Sequence, residues 1–103
     1  MAINISTHDQ ESRLVVTVEG DLNNTATKQA VESFAPIFKR ADCDIVIECS
    51  GLNYISSSGL RLMLDVYKHA SANGHYAYLA NLSEEIREIF DISGFLQLFK
   101  IEK

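Results

Sequence analysis

The chain has 103 residues, 47% hydrophobic and 22% charged, with a formal net charge of −5. That is enough chain for one hydrophobic core and too apolar a composition for intrinsic disorder. Its nine Lys and Arg residues are scattered, and neutralising a phosphate backbone needs them clustered, so no nucleic-acid partner is expected.

No basic start precedes an apolar core at Met1, and the most apolar stretch, Leu60 to Val66, carries Arg61 and Asp65. Export and direct membrane insertion are therefore not expected, and the cytoplasm is the expected location. Ile3 to Ser6 reads as a weak first strand. In "RLVVTVEGDLNN", Leu14, Val16 and Val18 alternate onto one face before Gly20 and Asp21, as a strand ending in a turn does. Asn23, Asn24 or Thr25 can then cap a helix whose apolar positions Ala26, Ala30, Phe34 and Ile37 recur at helical spacing, with Pro36 late in the run, where it bends the helix or starts a fresh turn. "DIVIEC" is short, β-branched and nearly all apolar, the pattern of a central strand covered on both faces. Cys43 and Cys49 flank it too far apart for an easy bridge, so reduced thiols are expected.

After a loop, "SSSG" leads into Leu60, Met63, Leu64, Tyr67 and Ala70, a helical stripe that ends before Asn73-Gly74. "HYAYLA" is another strand. "NLSEEIREIFDISG" is a third helix, with Asn81 or Ser83 as cap and Gly94 as terminator, and Leu96 to Ile101 reads as a closing strand. The exposed glutamates of that helix, Glu84, Glu85 and Glu88, are either a solvated face or a patch that steers a basic partner. Strands alternating with helices predict a single α/β domain over 1–103, with a mixed sheet of about four to five strands packed with about three main helices.

Ser56, Ser57 and Ser58 fall at a helix N-terminus, where unpaired backbone N–H groups and the dipole favour negative charge. The plainest role is structural: one serine caps the helix and the others line a solvated loop. A serine nucleophile would need a base and a strained elbow. Asn53 and Ile55 stand where such an elbow wants glycine, and His69 and His75 lie some four turns, about 20 Å, along the following helix. Only His8 is left to approach. Phosphate-cradling glycine loops and metal-ligand clusters are absent from the sequence, so no catalytic residue, metal or cofactor is expected. A hydroxyl here can instead be phosphorylated by a partner that brings its own base, metal and nucleotide.

"IVIECSGLNYISSSGLRLML" resembles the signature segment of STAS domains. The whole chain, through "FDISGFLQLFKI", is similar to the small bacterial anti-sigma factor antagonists of that family. "GDLNNTA", Gly20 to Ala26, is similar to the loop that helps form the surface around the family's phosphorylation site. The resemblance implies a STAS-like fold, and it carries the phosphoacceptor onto Ser57, two residues before Gly59. Ser56 stands where many members have Asp, and Glu48 where the strand-end residue is usually Asp. It implies a non-enzymatic switch that, unphosphorylated, binds an anti-sigma factor serine kinase and so frees a sigma factor, with a serine phosphatase to reset it. The implied partner-binding residues are Asp21, Asn23, Asn24, Thr25, Ser56, Ser57, Ser58, Gly59 and Arg61. STAS domains also serve as constitutive binding subunits in lipid-transport assemblies, which is the alternative reading.

Overall fold

A computed structural model describes residues 3–102. The elements are β1 (Asn4–Gln10), β2 (Arg13–Leu22), α1 (Asn24–Phe38), β3 (Ile45–Glu48), β4 (Leu52–Ile55), α2 (Ser57–Ala72), β5 (Ala77–Ala80), α3 (Glu84–Ile92), a 3₁₀ turn (Phe95–Gln97) and β6 (Lys100–Glu102). The strands form one six-stranded mixed sheet in the order β1-β2-β3-β5-β6, with β4 paired to β2 beside this path. Only β1 and β2 are antiparallel; the other pairings are parallel.

The alternation of β2 sets the core. Leu14, Val16, Val18 and Leu22 face Ala30, Phe34 and Ile37 of α1, Met63 and Val66 of α2, and Ile86 and Phe90 of α3, all in one buried cluster. The three helices therefore cover the same face of the sheet, and β3 is not sandwiched between helical layers as its apolar run suggests. Its outward residue, Val46, is still only 2% exposed, because Val15, Tyr78 and Ala80 of the adjoining strands close over it. Arg13 lies 5.4 Å above the Tyr78 ring and pairs with Glu102, tying the two sides of that face together.

Three boundaries differ from the sequence reading. β1 runs on through Thr7, His8, Asp9 and Gln10 to a tight turn in which Glu11 and Ser12 both take positive φ. Those polar residues fit an edge strand, one side of which is open to water. Leu52–Ile55, expected as loop, is a sixth strand. The closing apolar run is mostly not strand: Phe95–Gln97 makes a 3₁₀ turn and Phe99 is buried 5.9 Å from Phe90, ring centre to ring centre, before β6 begins at Lys100.

Candidate functional site

The site is built where two helices start side by side. Gly20 has φ of 101°, a conformation glycine adopts without a Cβ clash, and the ladder between β2 and β4 shifts register between Gly20 and Asp21. The shifted end of β2 pairs Asp21 with Tyr54 and Leu22 with Ile55, and the backbone N–H of Ser56 donates to the Leu22 carbonyl at 2.9 Å. Each strand then turns into a helix. Asn23 caps α1 by accepting from the Ala26 N–H at 2.8 Å, and Ser56 caps α2 by accepting from the Gly59 N–H at 3.2 Å. Gly59 is buried, and a Cβ there would stand 2.9 Å from Ile55 Cγ1 and 3.0 Å from both Leu22 Cγ and the Leu22 carbonyl oxygen. Lacking a side chain, it lets the first turn of α2 sit directly on the ends of β2 and β4.

The three serines have separate roles. Ser56 is 8% exposed and is the cap. Ser58 is half-buried, and its hydroxyl donates to Asn24 Oδ1 at 2.7 Å, which joins the first turns of α1 and α2. Its one hydrogen being so placed, the 3.0 Å contact between the Ser56 and Ser58 hydroxyls has Ser56 as donor. Thr27 extends the network, donating to the Asn23 carbonyl at 2.8 Å. Ser57 is exposed, and among the described residues its hydroxyl has no hydrogen-bond partner. The one uncommitted hydroxyl thus stands at the first position of α2, with its neighbours on both sides held.

Ser57, Ser58 and Arg61 line a shallow hollow of about 230 Å³. A larger hollow, about 380 Å³, lies at the other end of α2 between Tyr67, Ser71, His75 and Lys100, remote from the serines. The histidines are likewise elsewhere. His69 bonds the Arg40 carbonyl, His75 Nδ1 lies 3.2 Å from Asp44, and His8 on β1 lies 3.4 Å from the Gln10 side-chain oxygen. None bonds Ser57. Among the described residues no three His, Cys, Asp or Glu gather in a metal-ligand cluster, and no helix is long and apolar enough to cross a membrane. Cys43 and Cys49 are free and buried, and burial pushes the Cys49 thiol up to about 12 and raises that of Cys43, so both are poor nucleophiles.

Of the residues singled out in the sequence, Asn23, Asn24, Thr25, Ser57 and Arg61 are exposed around this end of the domain, with Asp21 and Ser58 half-buried beside them. Ser56 and Gly59 are buried and shape the end from beneath. Tyr54 was not singled out. It is 49% exposed on β4, opposite Asp21 and three residues before Ser57, and an aromatic ring so placed is what a protein contact uses as an anchor. The four-residue segment that carries it, Leu52–Ile55, has no alternating pattern that marks it as a strand.

The chain belongs to the STAS domain family, which matches residues 3–103. It is 31% identical over 91 residues to BtrV of Bordetella bronchiseptica, a candidate anti-sigma factor antagonist, covering 88% of this chain and 78% of that one. It is 26% identical to the anti-sigma-B factor antagonist of Staphylococcus epidermidis over 103 residues, covering 100% of this chain and 95% of the relative. Among solved structures it matches the anti-sigma factor antagonist SpoIIAA in its unphosphorylated form, with a TM-score of 0.77 at 23% identity over 99% of this chain and 89% of that one. The phosphorylated form of SpoIIAA, a Bacillus cell fate determinant, matches with a TM-score of 0.71 at 20% identity over 99% and 92% of the two chains.

Proposed function

We propose that this protein is a cytoplasmic anti-sigma factor antagonist switched by phosphorylation of Ser57. With Ser57 unmodified it binds an anti-sigma factor that is also a serine kinase, and a sigma factor is freed. Transfer of phosphate to Ser57 ends the complex, and a serine phosphatase restores it. The protein itself is not an enzyme. The observation that carries the reading is the contrast among the serines: Ser56 and Ser58 are committed to the cap and to Asn24, while Ser57 is exposed and its hydroxyl has no hydrogen-bond partner among the described residues. The relatives named as anti-sigma factor antagonists support the partner class.

The docking surface is the end of the domain formed by Asp21, Asn23, Asn24, Thr25, Ser57, Ser58 and Arg61, with Tyr54 as its apolar anchor. A phosphate at Ser57 adds about −1.5 to −2 charges at the positive end of α2, where a negative charge gains roughly 0.3 to 1 kcal/mol. The domain therefore stays folded, and the cost falls on the partner, whose contact surface must take in an uncompensated dianion. Reversing a 99:1 bound preference takes about 5.5 kcal/mol of differential affinity, of which one badly placed buried charge supplies several.

The test is to purify the protein with its ATP-binding anti-sigma partner and add nucleotide. Wild type is expected to leave the complex as phosphate accumulates, and Ser57→Ala to stay bound without modification. A complex that persists unchanged with fully phosphorylated wild type would refute the switch. Recovery of the unmodified protein in a stable assembly with transporter subunits would favour the constitutive scaffold.

A further inference from the structure

We propose that Arg61 is the intramolecular partner of the Ser57 phosphate, so that one guanidinium faces the docking partner before phosphorylation and is claimed by the protein's own phosphoserine afterwards. This rests on Ser57 being the modified residue. Arg61 follows Ser57 by four positions on α2, the spacing at which side chains stack on one helix face. Long helical side chains lean toward the helix N-terminus, which carries the Arg61 guanidinium back over the first turn. Arg61 and Ser57 line the same open hollow.

The guanidinium is also uncommitted. Arg13 and Arg40 are held by Glu102, Asp9 and Asp42, whereas none of the ion pairs among the described residues includes Arg61. Asp65 is four residues further along α2 and exposed, yet does not take it. The charged residues on the elements that border this end of the domain include Lys28, one turn beyond Asn24 on α1, and Asp21 at the end of β2. Lys28 is a second cation at this end of the domain, but it does not line the hollow. A planar guanidinium can grip two phosphate oxygens at once, which Lys28 cannot. Phosphorylation then acts twice on the contact, adding an anion to the docking face and withdrawing a cation from it.

The experiment installs phosphoserine at position 57 during translation, so no kinase is needed, and follows the second phosphate ionisation by ³¹P NMR. At low salt the wild type is expected to titrate about 0.2 to 0.7 pH unit below Arg61→Gln, the size of an exposed charge-assisted pair at this spacing. Arg61→Lys should fall between them, Lys28→Gln should change little, and the difference should shrink in 0.5 M salt. Circular dichroism checks that each variant is folded, as expected for an exposed Arg61. Coincident titrations of wild type and Arg61→Gln would overturn the role of Arg61, and so would a shift that follows Lys28 instead. Absence of phosphate from Ser57 in cells would count against the proposed function and leave the titration result standing.

Discussion

Gly59→Ala sets two effects of known size against each other. In a helix interior Ala is favoured over Gly by about 1 kcal/mol, and Gly59 lies inside the first turn of α2. Against that, the new methyl would sit 2.9 Å from Ile55 Cγ1 and 3.0 Å from Leu22 Cγ and the Leu22 carbonyl. Carbon contacts prefer about 3.5 to 4.0 Å, so roughly 0.5 to 1 Å must be found. Leu22 and Ile55 are 0% and 3% exposed, and the Leu22 carbonyl already accepts from Ser56, so neither can swing aside. The start of α2 must therefore lift, at an overpacking cost of about 1 to 3 kcal/mol. The net expectation is a loss of about 0 to 2 kcal/mol in urea unfolding, with NMR shifts at Ser58 and Asn24 as the 2.7 Å bond between them lengthens. A variant stabilised by about 1 kcal/mol, with those signals unmoved, would refute the close seating of α2 and the fixed position of Ser57 derived from it.

Ser58→Ala leaves the buried Ser56 hydroxyl without its acceptor and should cost about 1 to 2 kcal/mol in the same assay, whereas Ser57→Ala, which breaks no bond, should stay within about 0.5 kcal/mol of wild type. Equal losses from the two would mean the serines are not divided into held and free. Cys49 keeps its proton in the folded state up to about 12 and loses it near 9.0 when unfolded. Its stabilisation is thus complete below the lower value and declines through this window by about 1.4 kcal/mol per pH unit. Cys49→Ala should remove that slope from the alkaline unfolding curve, and an identical slope would show that water reaches the thiol. Tyr54→Ala should leave the unfolding midpoint nearly unchanged while weakening partner binding about tenfold or more, the loss of a contact anchor; unaltered affinity would exclude β4 from the docking surface.

Much of this was legible because the decisive interactions are local. The β2 alternation, the Ser83 cap of α3 and the glycine stops at Gly74 and Gly94 depend on residues within a turn of each other. The misses involve distant partners. β4 exists because the register shift at Gly20 turns the end of β2 toward a segment more than thirty residues later, and "LNYI" alone has no strand pattern long enough to detect. The β1–β2 turn uses Glu11 and Ser12, not the Asn-Gly pair that marks such turns, so the strand was cut short. The serine motif could be placed at a helix start, but sorting its members needed Asn24, which reaches Ser58 from 34 positions away in sequence. Arg61 could be counted among the surface residues; that it has no ion-pair partner among the described residues could be learned only from the fold.

The most direct measurement is residue-level mapping, by tandem mass spectrometry, of phosphate on the protein isolated from its own cells. The expected result is modification of Ser57, with Ser56 and Ser58 unmodified because one is buried as the α2 cap and the other is bonded to Asn24. Phosphate on Ser56 or Ser58, or none on Ser57 when the kinase partner is active, would contradict the assignment of Ser57 as the switch.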